Sequence, residues 1–171
     1  MFYSNMRDPF SLMAKSWNYN GAETTLASYT DKLNKMDEHL DLVIKTPIFY
    51  NTDDCFISHA GISKSLKDKL PKNVLSNDAS LKKILSDDLY NQNSIIWARG
   101  DLLNIDKLQV VGHTHRKEVH FDKVSNTLYI DTTAFGNNKL SAAIVDQNTL
   151  VEIIDQKTCV EDVNRNWIYE F

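Results

Sequence analysis

The sequence predicts a layered α/β (α+β) fold, built as a single domain over residues 1–171. Three observations carry that expectation. Helical spacing dominates the first third of the chain. Short strand-like runs, separated by Asn, Gly and Asp, dominate from Lys107 onwards. No internal repeat, low-complexity tract or linker divides the two textures. Helices first and strands later fit a sheet covered by helices rather than a helical bundle.

Residues 1–20 are mixed in character and predict a short helical or irregular lead-in. From Thr24 to Leu42 a longer helix is predicted, because Leu26, Tyr29, Leu33, Met36, Leu40 and Val43 recur three or four apart. Pro47 ends that run and opens a strand, Pro47-Ile48-Phe49-Tyr50. Asn51-Thr52-Asp53-Asp54 reads as a turn and Cys55–His59 as a second strand, together a hairpin. Ser63 to Asn93, rich in Lys, Leu, Ser and Asp, predicts short helices around Leu66–Leu70 and Leu81–Leu89. Leu108–Val111, Glu118–Phe121, Thr127–Asp131, Leu140–Asp146 and Val151–Ile154 are the later strands.

Hydrophobic residues are 42% of the 171 and charged residues 25%, enough to bury a core and too apolar for disorder. The formal net charge of −4, with no basic stripe, argues against a nucleic-acid partner. No run approaches the roughly 20 apolar residues of a membrane span, and MFYSNMRDPF lacks the layout of a signal peptide. Cys55 and Cys159 lie far apart and neither belongs to a CxxC pair, so a cytoplasmic protein with incidental thiols is expected.

The chemistry-bearing residues gather beside scarce glycines. Of only five glycines, four border His, Arg or Asp-rich segments. In Phe56-Ile57-Ser58-His59-Ala60-Gly61 an apolar strand delivers a histidine at its end, where sites in α/β sheets commonly form. Val110-Val111-Gly112-His113-Thr114-His115 repeats that pattern with two histidines two apart. Neutral imidazoles are good ligands for Zn, Mn or Fe, and a metal site needs several ligands, so two such motifs reinforce each other. Ile95-Ile96-Trp97-Ala98-Arg99 ends in a guanidinium, whose planar fork of donors matches phosphate oxygens. His39, His120 and the carboxylate pairs Asp53-Asp54 and Asp87-Asp88 read as structural or solvated residues.

FISHAG, IIWARG, VVGHTH and YIDTTAFGNNKLSAAIVD, in that order, resemble the C-terminal half of calcineurin-like metallophosphoesterases. The nearest branches are the bacterial and phage-type serine/threonine phosphoprotein phosphatases and the symmetrical dinucleoside tetraphosphatases. WNYNGAETTLASY resembles the segment after the family's third motif. The resemblance implies a β-sandwich flanked by helices, with its N-terminal strands missing, and hydrolysis of a phosphorylated substrate, either phosphoprotein or nucleotide. It makes His59 and His113 ligands of the second metal, with Mn expected and Fe, Zn or Ni as alternatives. His115 takes the position that binds the first metal in the wider superfamily, though usually not in the protein phosphatases. Arg99 grips the substrate phosphate, and Asp131 stands beside the site in a stretch where Thr133 replaces the usual glycine.

The family's Asp-x-His, Gly-Asp-x-x-Asp-Arg-Gly and Gly-Asn-His-Glu motifs do not occur in this sequence, which resembles a chain starting just after the third. Those motifs supply the first metal's ligands, the bridging aspartate and the general-acid histidine. A bridging carboxylate holds two mutually repelling cations about 3.5–4 Å apart. Weak metal binding and little activity by the chain alone are therefore expected, with a complementing N-terminal chain as one partner. Two other expectations stand beside this one: a non-catalytic remnant or binding protein completed by a partner, and a mononuclear centre on His59, His113 and His115.

Overall fold

A computed structural model describes residues 1–87, 89–159 and 161. The chain falls into two compact units, Met1–Pro47 and Ile48–Phe171.

The first unit is helical: α1 (Phe2–Arg7), α2 (Leu12–Asn18), α3 (Ala22–Ser28) and α4 (Leu33–Lys45). Ser11 caps α2, its hydroxyl oxygen accepting the Ala14 N–H at 3.2 Å. Gly21, at φ 87°, turns the chain into α3 through a left-handed conformation. The predicted helix from Thr24 to Leu42 is two helices, broken over residues 29–32. Ser28 and Thr30 account for the break. Their hydroxyls donate to the carbonyls of Thr25 (2.6 Å) and Ala27 (3.0 Å), competing for the groups that continuing helix would use. Phe2 packs against Trp17 and stacks on Tyr29, with ring centroids 5.4 and 6.0 Å away. α4 is amphipathic but buries none of its residues completely.

The second unit is a mixed α+β structure, as the sequence predicts. Its main sheet has five strands in the order β1-β2-β3-β5-β4. These are β1 (Phe49–Asn51), β2 (Phe56–Ser58), β3 (Gln109–Val111), β4 (His120–Asp122) and β5 (Thr127–Tyr129). β1–β2 is the expected antiparallel hairpin, β2, β3 and β5 run parallel, and β4 is antiparallel to β5. β6 (Lys139–Asp146) and β7 (Thr149–Lys157) form a separate antiparallel pair.

One face of the main sheet carries Phe49 and Phe56, stacked at 5.0 Å. They pack with Ile62, Leu66, Ile95 and with Leu81 and Leu85 of helix α5 (Asp78–Ser86). On the other face the register aligns Tyr50, Ile57, Val110, Leu128 and Phe121 in one row across all five strands. Val110 and Leu128 are buried, with Ala143, Val145 and Leu150 of the β6–β7 pair packed against their cluster. Tyr50 and Ile57 stay exposed. Among the described residues no helix is long and apolar enough to cross a membrane.

The parallel register decides where the chemistry goes. Ser58 pairs with Val111 and Val111 with Tyr129, so β2, β3 and β5 end side by side. The residues that follow, His59, His113 and Asp131, therefore leave the sheet at one edge, the carboxyl end of the parallel strands.

Candidate functional site

Backbone hydrogen bonds lock the two histidine loops together. The Gly112 N–H donates to the His59 carbonyl at 3.0 Å, and the Ala60 N–H donates to the Ile95 carbonyl at 2.8 Å. Gly61 adopts φ 89°, and a Cβ built there would meet Leu102 Cδ1 at 2.4 Å. Glycine thus satisfies both the left-handed turn and the close packing behind His59. In the second loop the left-handed residue is His113 itself, at φ 58°, and not the preceding Gly112.

The result is a direct imidazole pair. His59 Nε2 lies 3.1 Å from His113 Nδ1, with ring centroids 4.8 Å apart. Trp97 meets the His113 ring edge-on at 5.8 Å. His113 Nε2 is buried and has no hydrogen-bond partner among the described residues. The pair borders an open cleft of about 330 Å³, lined also by Asp131, Ile57, Ile130 and Leu140.

Burial pushes the pKa of both histidines below the ordinary imidazole value. The nearby Arg99 charge adds to this at both rings, and Asp131 opposes it. For His113 the neighbouring His59 also favours the neutral ring, while the Trp97 backbone favours the charged one. Two neutral imidazoles are what a cation requires, since only the unprotonated nitrogen has a lone pair to give.

Arg99 is exposed and makes no hydrogen bond or ion pair among the described residues, so its donors face solvent at a site it reaches electrostatically. Asp131 accepts the Thr133 N–H at 3.1 Å, which leaves further carboxylate lone pairs for other donors. Thr133, standing where the family resemblance expects glycine, adopts the left-handed φ of 62°. His115 is exposed and packs edge-on against Phe135 at 5.9 Å. His39 pairs with the Tyr29 hydroxyl at 2.6 Å, and His120 lies tilted against Tyr129 on the sheet. Asp54 accepts the Gln147 N–H at 2.8 Å, a structural use, and Asp88 lies outside the described residues.

Two nitrogens 3.1 Å apart suit one metal ion in spacing. At Zn–N distances near 2.1 Å they would subtend an angle of about 100° at the ion. Among the described residues no group of three or more His, Cys, Asp or Glu side chains is arranged to hold a metal.

Two residues that support the site carry no distinct signal in the sequence. Trp97 sits between the apolar Ile95-Ile96 and Arg99 and reads as more core. Gln109 reads as part of an apolar run, yet it is fully buried and bonds to three partners. Its side-chain oxygen accepts the Ile62 N–H at 3.0 Å, and its amide donates to the Leu103 carbonyl at 2.7 Å and Thr127 Oγ1 at 3.3 Å. A polar residue inside a strand otherwise made of Leu and Val was the one available hint.

No protein-family model matches the chain, and no curated protein matches it.

Proposed function

We propose that this chain provides half of a metal-dependent phosphoester hydrolase centre of the calcineurin-like metallophosphoesterase type. The observation that supports the reading is the His59–His113 pair, 3.1 Å apart at the carboxyl ends of two parallel strands. Motifs that resemble the family's, in the same order, surround it.

In this reading His59 Nε2 and His113 Nδ1 are two ligands of a divalent cation, Mn in the family the sequence resembles, with Fe, Zn or Ni as substitutes. Such a cation lowers the pKa of water and offsets charge on phosphoryl oxygens. Arg99 holds the phosphate by its free donors. Asp131 keeps the imidazoles in a negative field and accepts from donors in its own loop. The substrate is a phosphoprotein or a phosphorylated nucleotide. His115, turned to Phe135, has no part in this arrangement.

Two imidazoles fall short of the three protein ligands an open catalytic site uses. The sequence contains no bridging-aspartate motif. The reading therefore assigns little turnover to these residues alone and gives the remaining ligands to residues outside them, whether in the same polypeptide or in a complementing one. It also sets the protein in the cytoplasm, in keeping with free thiols at Cys55 and Cys159.

The test is Mn-dependent hydrolysis of p-nitrophenyl phosphate by the chain, alone and co-expressed with a polypeptide carrying the three absent motifs. Turnover that appears on co-expression and disappears in His59→Ala is expected. Turnover by the chain alone that survives His59→Ala overturns the reading, and so does its absence on co-expression when the two chains associate.

A further inference from the structure

The His113 ring combines three features that are individually unfavourable. Its backbone is left-handed at φ 58°, a conformation that crowds the Cβ of an L-residue. Its Nε2 is buried without a partner among the described residues. Its Nδ1 faces another imidazole rather than water. A half-turn about that ring's terminal torsion, which is broad and roughly two-fold, would set Cδ2 and Cε1 where Nδ1 and Nε2 now stand. Something must therefore hold the orientation.

The geometry points to Trp97 as the positioning residue that keeps His113 Nδ1 turned toward His59. Its indole meets the His113 ring at a centroid distance of 5.8 Å and an interplanar angle of 81°, the edge-on arrangement that aromatic quadrupoles favour. The main chain that carries the indole is itself fixed. The Trp97 backbone N–H donates to the Ser94 carbonyl at 3.0 Å, and Ser94 Oγ donates to the Leu89 carbonyl at 3.1 Å. Ile95 and Ala98, on either side of Trp97, are fully buried in the core. The same segment grips the other histidine loop, because the Ile95 carbonyl accepts the Ala60 N–H. One anchored turn, residues 94–98, thus holds the backbone beside His59 and the ring of His113.

This role concerns the metal-free chain and stands whether or not the proposed hydrolase reading does. NMR of the His113 ring reads it directly. In the wild-type chain a scalar coupling should join His113 Nδ1 to His59 Nε2 across their 3.1 Å contact. Nuclear Overhauser contacts should join the Trp97 indole to the His113 ring. Trp97→Ala should abolish that coupling as the ring turns, and Trp97→Phe should restore most of it. Amide spectra of β3 and β5 establish that each variant is folded. An unchanged His113 signature in folded Trp97→Ala overturns the proposal. Where that variant does not fold, the wild-type contacts and Trp97→Phe decide it, and their failure to show a held ring overturns it equally.

Discussion

The side-chain oxygen of Gln109 accepts the backbone N–H of Ile62 at 3.0 Å, across 47 residues of sequence. That bond ties the loop after His59 to the strand that leads to His113. Gln109 and Ile62 are both fully buried, so that N–H has no water to turn to. Gln109→Leu should cost about 2–4 kcal/mol, because it strands the Ile62 N–H and the Leu103 carbonyl in an apolar core. Urea unfolding measures it, and a loss below about 1 kcal/mol would show that these groups find other partners.

Gly61 should tolerate no side chain. Gly61→Ala forces an L-residue to φ 89° and drives Cβ to 2.4 Å from Leu102 Cδ1. The backbone contributes about 1–2 kcal/mol and overpacking about 1–3. A double-mutant cycle with Leu102→Ala separates them. Removing the clash should recover only the overpacking share, and full recovery would mean that the left-handed backbone costs nothing.

At Thr133 the usual order of substitutions should invert. Its φ is 62°, and its hydroxyl donates to the Arg116 carbonyl at 3.2 Å. Both Thr133→Ala and Thr133→Gly lose that bond, but only glycine relieves the backbone. The glycine variant should be the more stable by about 1 kcal/mol in thermal unfolding, whereas an alanine at least as stable would refute the argument.

Acid should destabilise the metal-free chain through its histidine pair. Burial holds the pKa of His59 and His113 below the ordinary 6.5. Above that value both folded and unfolded histidines are neutral and contribute no slope. Below it the unfolded chain takes up protons that the folded chain refuses. Stability therefore falls with pH from about 6.5 down to the folded values. Urea midpoints from pH 7.5 to 5 should drop less steeply in His59→Asn than in wild type. Equal slopes would mean that the folded surroundings do not favour the neutral rings.

Much of this architecture is legible in the residues. The apolar run within Leu140–Asp146 and the turn at Gln147-Asn148 announce the β6–β7 pair, and Asn51–Asp54 announces the first hairpin. His59 and His113 are recognisable because apolar strands run straight into them. The break between α3 and α4 is not, since the apolar spacing continues through it while Ser28 and Thr30 divert the backbone bonds. Trp97 is hidden for a different reason. Its contact with His113 is made across space, and nothing in the local pattern separates a bracing indole from a core one.

The left-handed corner at residue 113 limits which amino acids the position can accept. Asparagine, aspartate and histidine visit that conformation several-fold more readily than other side chains with a Cβ. A mutational scan should find 113 intolerant of alanine, valine and leucine on folding grounds alone, before any ligand is supplied. Loss of activity on replacing this histidine would then confuse two causes, a missing imidazole and a bent loop. His59, whose backbone is not left-handed, is the cleaner place to remove one imidazole and keep the scaffold.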